Sequence, residues 1–182
     1  SAGGIVSPLD GSAGPAPHFS WRESCARPAD DAKASEGLEY LRHHSELWPA
    51  TVRVAEVVER IRSLVGRAVR VTCGLRPGDS KQHGSAQAWD IQVDGMTPRA
   101  LLRIIRVAAE QGSLPHPLRQ VIAETLHGSS ADLDLPMSRG SGRWVHVAVL
   151  GTPDERWSVP SGTPWALSWD PPDAARVYRS AT

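Results

Sequence analysis

The sequence predicts an α+β domain in which a small, largely antiparallel sheet packs against helices. The length of 182 residues suits one compact domain. Hydrophobic periodicity gives the element order helix, helix, strand, strand, helix, strand, strand. The strands thus come in consecutive blocks rather than in strict β-α-β alternation, which favours an antiparallel sheet. Because 20 basic side chains balance 20 acidic ones, no strong field attracts a polyanion, and a nucleic-acid partner is not expected.

Three segments carry the apolar spacing of amphipathic helices. The first is predicted over residues 36–48, after a polar, proline-containing loop at 27–35. The second and clearest spans 49–66, where aliphatic residues recur every three or four positions and a glycine ends the pattern. The third begins after Thr97, which suits an N-cap and is followed by proline, and ends near Gly112.

Four segments have the composition and alternation of β-strands, bounded by glycine-rich or proline-rich turns. They are residues 68–73, 89–93, 119–123 and 144–150.

The chain divides by composition into three parts. Residues 1–17 are rich in Gly, Ala, Ser and Pro and are predicted to be a flexible leader or linker. Residues 18–150 form the predicted domain. Residues 151–182, rich in Trp and Pro, are expected to be irregular and to pack on the domain. The chain begins with Ser, so we expect either a removed signal segment or a piece of a longer protein; no apolar run approaches the roughly 20 residues of a membrane span.

The two cysteines, Cys25 and Cys73, lack the C-x-x-C spacing of zinc knuckles and redox pairs. Two interpretations stay open. The cysteines form one disulfide if the compartment is oxidising, or they are two buried free thiols.

Two histidines and an aspartate form a candidate metal site. His83 lies in a turn, and Asp90 follows seven positions later within a predicted strand. His146 lies in the last predicted strand, and if the alternate valines of that strand face the core, His146 faces the other side of the sheet. Two imidazoles and one carboxylate suit zinc, and three protein ligands leave the fourth position that catalytic zinc sites keep for water.

Five motifs follow one another along the chain: HFSWRE at 18–23, VRVTCGLR at 69–76, H-x6-D at 83–90, QVIAE at 120–124 and WVHV at 144–147. Together they resemble the zinc-dependent peptidases of the M15 class. That class includes bacterial D-Ala-D-Ala carboxypeptidases and phage L-alanyl-D-glutamate endopeptidases.

The resemblance implies the M15 (hedgehog-like) fold and a zinc ion held by His83, Asp90 and His146. It implies hydrolysis of amide bonds in peptidoglycan stem peptides that contain D-amino acids. It also implies a secreted or cell-wall-associated protein, or one delivered by a phage or injection system, acting as a monomer without a membrane span.

The resemblance further assigns roles around the zinc. Arg76 is expected to hold a substrate carboxylate or carbonyl, since guanidinium is forked and permanently charged. Gln82 and Trp144 are expected to bind substrate. Many members have an acidic general base three positions before the last zinc histidine, but Arg143 stands there and an arginine cannot accept a proton. Glu124 is therefore the expected base.

Alternatives remain at this point. Glu124 could instead orient a histidine, with Asp132 or Asp134 serving as the base. Four further departures concern positions that are small or serine in the family, and they are Cys73, Lys81, Ala86 and Trp89. They favour, as an alternative function, an inactive binding or structural module that retains zinc. A third possibility is an enzyme of this fold that cleaves an amide outside the cell wall.

Overall fold

The computed structural model describes residues 13–25, 27–79, 82–127 and 129–151, together with the backbone of 166–169. Three helices and five strands make up this part of the chain. They are α1 (Asp31–His43), α2 (Trp48–Val65), β1 (Arg70–Cys73), β2 (Ala88–Gln92), α3 (Pro98–Glu110), β3 (Leu118–Thr125), β4 (Arg143–Val149) and β5 (Ala166–Trp169). The predicted α+β class and element order are confirmed.

The five strands form one sheet in the order β1-β2-β4-β3-β5, with every neighbouring pair antiparallel. The register places Asp90 of β2 directly opposite His146 of β4. On the other side of β4, Ile122 of β3 pairs with His146 and Glu124 pairs with Trp144. The topology thus brings side chains from the middle and the end of the sequence onto three adjacent strands.

The two faces of the sheet have different roles because side chains alternate along each strand. One face carries the predicted valine row of β4 and packs with α2 and α3 in a single hydrophobic core. Trp89 of β2 belongs to this core, where its ring lies edge-to-face against Phe19 at a centroid distance of 5.5 Å. The opposite face carries Asp90, Glu124 and His146, so this is the face on which chemistry can occur.

The second and third helices agree with their sequence signals. Helix α2 ends at Gly66, which adopts a left-handed φ of 66°. Helix α3 begins after Thr97, whose side chain accepts a hydrogen bond of 3.1 Å from the Ala100 amide. The end of α2 and the start of α3 each depend on the local chemistry of a single residue. The sequence alone was therefore sufficient to place them.

Two predictions about regular structure were wrong. The first helix was predicted over 36–48, but α1 begins five residues earlier because Asp30 caps it by accepting from the Lys33 amide at 3.1 Å. A 3-10 turn, Ser45–Leu47, then separates α1 from α2. The extension 151–182 was predicted to be irregular, yet β5 adds an edge strand to β3. The rest of that extension, and residues 1–12 of the predicted leader, lie outside the described residues.

A second, smaller group of buried side chains joins the beginning of the domain to the loop between β1 and β2. This minor cluster comprises Trp21, Cys25, Leu41, Ala50, Leu75 and Ala86. Both cysteines are free and buried, which agrees with the second of the two interpretations of the cysteines. Burial raises the pKa of the Cys25 thiol to about 11, so this thiol is protonated and unreactive at neutral pH.

Replacing Gly37 with alanine is expected to destabilise the protein although alanine is the better helix former. A Cβ atom at position 37 of α1 would lie 2.7 Å from Cys25 Cβ and 2.9 Å from Cys25 Sγ. The clash should outweigh the usual gain and lower the free energy of unfolding by about 1–3 kcal/mol. Urea unfolding measures the change, with Ser35→Ala on the exposed side of α1 as the control. A Gly37→Ala protein as stable as this control would contradict the close packing.

Candidate metal centre

The loop between β1 and β2, residues 74–87, carries His83 and is fixed by the segment that precedes α1. The Gly74 amide donates to Cys25 O at 3.1 Å, and the Leu75 amide donates to Ser24 O at 2.7 Å. A Cβ atom at Gly74 would lie 2.1 Å from Ser24 O, so only glycine permits this approach. Within the loop, the Arg76 amide donates to His83 O at 2.9 Å. The position of His83 therefore depends on two kinds of main-chain hydrogen bond: those that join the loop to the segment before α1, and the one within the loop.

Asp90 is the centre of the site. Its Oδ1 atom lies 3.0 Å from His146 Nδ1 and 3.4 Å from His83 Nε2. All three side chains are buried. Donor atoms that share one zinc ion tetrahedrally at 2.0–2.1 Å lie about 3.3 Å apart. The structure thus places both predicted histidines beside Asp90 at distances close to those of a shared ion, although the two histidines belong to separate ligand sets.

The outer nitrogen of each imidazole is bound to an acceptor. His83 Nδ1 donates to Gly74 O at 2.8 Å, and His146 Nε2 donates to Gln82 Oε1 at 2.8 Å. The inner nitrogens, His83 Nε2 and His146 Nδ1, both face Asp90 Oδ1. Each contact is a hydrogen bond when a proton lies between nitrogen and oxygen, and a cation could take the place of that proton. Gly74 O and Gln82 thus act as the partners that orient metal-bound histidines in many sites.

The electrostatics of the two histidines differ. Burial lowers the pKa of His146, so a second proton on this ring is disfavoured. Burial also opposes protonation of His83, but the Asp90 carboxylate and the nearby Cys73 raise the pKa of His83 well above its ordinary value. Despite burial, the two histidines hold the pKa of Asp90 below its usual range. Asp90 is therefore a permanent anion that attracts a proton to His83 or a cation to both rings.

Two sets of potential ligands share Asp90 among the described residues. Cys73, His83 and Asp90 form one set, and Asp90, Glu124 and His146 form the other, with the donor atoms of each set within 4.8 Å of one another. Each set contains one of the two imidazoles, whose rings lie 5.1 Å apart and are inclined at 69°. Either set could hold a metal ion. Sequence reasoning treated Cys73 as a disulfide partner or free thiol and as a departure from a family pattern, and it missed Cys73 as a potential ligand.

Glu124 lies beside the three predicted ligands and is partly exposed. Burial and the negative charge of Asp90 raise the pKa of Glu124 to about 8, although His83 and Arg76 act in the opposite direction. A carboxyl group whose pKa lies near neutrality can both accept and return a proton at working pH. Its environment is therefore that of a candidate general base.

The predicted substrate-binding residues occupy different places. The Arg76 side chain is half exposed, with Nη2 4.0 Å from Asp90 Oδ2 and Nη1 3.6 Å from Asp79 Oδ2. Trp144 lines the groove above the site. Gln82 is fully buried and holds His146, so its observed contact positions a ligand instead of facing the groove.

An open groove of about 1200 Å³ lies over this face of the sheet. Cys73, Arg76, Asp90 and Trp144 are among its lining residues, and the rest of the lining combines charged side chains of both signs with uncharged residues. The groove is large enough for a peptide, since ligand pockets commonly measure 300–1,000 Å³. Asp90 is therefore buried within the protein but accessible from a peptide-sized opening.

The other residues considered at the position of the general base lie away from the metal centre. Arg143 is on the opposite side of β4 from His146 and donates to Pro136 O at 3.1 Å. Asp134 pairs with Arg99 of α3 at 2.8 Å, on the helical layer, and Asp132 belongs to the same 3-10 turn. Neither aspartate is in a ligand set.

Of the four departures from the family pattern, Cys73 is the one whose side chain contacts a candidate ligand among the described residues, while the Ala86 amide donates to His83 O at 3.4 Å. Trp89 faces the core and Ala86 belongs to the minor cluster, and Ala86 adopts a φ of 60°, a conformation in which glycine is favoured. Lys81 lies outside the described residues. The Trp89 side chain points to the other face of β2, away from the candidate ligands.

Comparisons of the chain with protein-family models, with curated proteins and with solved structures found no match. Within the described part of the chain, none of the helices combines the length and apolar character that a bilayer crossing requires.

Proposed function

We propose that the chain is a zinc-dependent peptidase of the M15 type that hydrolyses amide bonds in D-amino-acid-containing stem peptides of peptidoglycan. The observation that carries the proposal is the convergence of two imidazole nitrogens on Asp90 Oδ1 beneath an open groove. The M15-like fold, action as a monomer and a location at the bacterial cell wall, reached by secretion or by phage or injection-system delivery, belong to the same proposal.

The donor set fits zinc. His83, Asp90 and His146 would hold the ion, since two imidazoles and a carboxylate are its usual ligands in hydrolases. When bound, zinc supplies Lewis acidity that polarises an amide carbonyl and acidifies water. Gly74 O and Gln82 keep the lone pairs of the two rings directed inward, so the ligands are prepared before the ion arrives.

Other side chains supply binding and proton transfer. Arg76 binds a carboxylate or carbonyl oxygen of the peptide, because its guanidinium reaches the groove while Asp90 and Asp79 hold it in place. Glu124 accepts a proton from the attacking water and returns it to the nitrogen of the leaving amine. Trp144 provides an apolar wall against which the peptide packs.

A second candidate function is a module that retains the metal and binds wall fragments without cleaving them. The position of Cys73 beside His83 and Asp90 favours it. A cysteine in the fourth ligand position gives a closed zinc site, as in structural zinc.

Incubation with stem peptides separates the two functions. The purified chain is treated with a chelator, divided, and supplied with zinc or left without it, and peptide products are followed by mass spectrometry. The peptidase is expected to release a D-amino-acid-containing fragment only in the zinc-supplied sample. Binding of wall fragments with no product in either sample would support the module and contradict the peptidase.

A further inference from the structure

The outer edge of β1 is open to pairing. Strand β1 is the edge strand of the sheet and has β2 as its neighbour. Alternate residues of such a strand direct their N–H and C=O groups away from that neighbour. In the described part of the chain, β2 is the one segment whose main chain bonds to the main chain of residues 70–73. Pairing with the segment before α1 begins at Gly74 and Leu75, after β1 has ended.

The groove runs along this edge as well as over the face of the sheet. All four residues of β1, Arg70–Cys73, line it, although the side chains of a strand alternate between two faces. The Val71 side chain belongs to the hydrophobic core on the opposite face, so the main chain of Val71 is the part that faces the groove. The groove therefore presents main-chain hydrogen-bonding groups in addition to side chains.

A second wall of the groove comes from the N-terminal half of α1 and the segment before it, with lining residues between positions 27 and 37. A single extended chain can lie between two walls, whereas the edge of another sheet would bring its neighbouring strands with it. Cys73, the last residue of β1, pairs in register with Asp90. A chain extended along β1 therefore reaches the candidate metal centre at one end.

We propose that the groove binds a peptide in extended form, as an added strand hydrogen-bonded to the outer edge of β1, with its scissile amide beside Asp90. In strand addition the main chain of the peptide supplies affinity, and its side chains supply specificity. The four residues of β1 extend over about 13 Å, at roughly 3.3 Å per residue. The preferred substrates are therefore linear peptides with about three or four residues on one side of the scissile bond, and free dipeptides bind weakly. The inference rests on the proposed function, whose substrate it narrows.

N-methylation of a stem peptide, one amide at a time, tests the inference without hydrolysis. Binding to the full chain is measured by titration calorimetry in chelator, and the same peptide with one extra methyl group on a side chain controls for size. In an added strand, every second amide of the peptide donates to β1. Methylation at these alternate positions should weaken binding about tenfold, with little change at the positions between them. Equal effects at successive positions, or no binding in chelator, overturn the inference.

Amide hydrogen exchange locates the added strand and needs no variant. Saturating peptide is expected to slow exchange within residues 70–73 at least tenfold, while exchange in α3, which packs on the other face of the sheet, stays the same. Unchanged exchange in residues 70–73 overturns the inference. Protection that appears without peptide and rises with protein concentration assigns the edge to a second copy of the chain and also overturns it.

These results distinguish the inference from the proposed function. A peptide that binds along β1 but is not hydrolysed when zinc is supplied supports the strand addition and contradicts the peptidase. Hydrolysis of free dipeptides as fast as of longer peptides, without protection of β1, supports the peptidase and overturns the strand addition.

Discussion

Asp90→Asn is expected to abolish stoichiometric metal binding. Asp90 belongs to both ligand sets, and its Oδ1 atom is the group that both imidazoles face. Asparagine removes the negative charge that offsets the charge of the ion. The loss in zinc affinity should therefore exceed the 10–100-fold loss that is typical when a residue hydrogen-bonded to a metal ligand is replaced. Metal content measured by elemental analysis after dialysis against a weak chelator is the readout.

Asp94→Asn is the matched control for this experiment. Asp94 follows the same strand, but its side chain is exposed and pairs with Arg70 at 2.5 Å. The control should retain the zinc content of the wild type. One equivalent of zinc in Asp90→Asn would show that the metal is held elsewhere, and the proposed function would fail with it.

Glu124→Gln is expected to reduce hydrolysis of stem peptides by about 10²–10⁴-fold, the usual contribution of a general base. Glutamine has nearly the same shape but cannot accept the proton. Zinc content should be retained, because His83, Asp90 and His146 remain. Initial rates on the same peptide measure the effect, with Glu110→Gln on the exposed surface of α3 as the control. A variant that hydrolyses the peptide at the wild-type rate would exclude Glu124 as the base.

Glu124→Gln should lower the rate of hydrolysis but raise the free energy of unfolding, so the loss of activity would not be caused by a loss of folding. In the metal-free protein the pKa of Glu124 is raised from 4.5 to about 8. Between these values the folded state holds a proton that the unfolded state has released, so the stability of the wild type falls as pH rises. Glutamine lacks this dependence. In chelator, Glu124→Gln should gain unfolding free energy over the wild type from pH 5 to 8, by up to about 1.4 kcal/mol per pH unit. A constant difference would contradict the raised pKa.

Local chemistry explains which parts of the fold the sequence could predict. Gly66 and Thr97 determine helix ends through their own backbone or side chain, and the alternation in β4 was sufficient to place His146 on the face away from the valines. The start of α1 was missed because Asp30 lies in a stretch whose proline and polar residues also suit a loop. Strand β5 was missed because an edge strand is stabilised by its partner, here β3, more than by its own sequence.

The candidate site was predictable only in part for a similar reason. The spacing of His83 and Asp90 and the isolated His146 were visible in the sequence, but the proximity of Cys73 depends on the register between β1 and β2. No local signal fixes that register, because it results from the pairing of two strands joined by a long loop. The role of Gln82 depends likewise on the path of that loop, which brings its amide to His146 over a separation of 64 residues.

The parallel bridge between Cys25 and Leu75 has a consequence for the energetics of metal uptake. The same stretch that supplies Gly74 O to His83 is held by the segment before α1. If that segment detaches, one imidazole loses its orientation while the central strands stay folded. The apparent dissociation constant for the ion then equals the intrinsic constant divided by the fraction of molecules with the segment attached. By reciprocity, an ion bound at the proposed centre would stabilise the attachment of the segment before α1 to the loop.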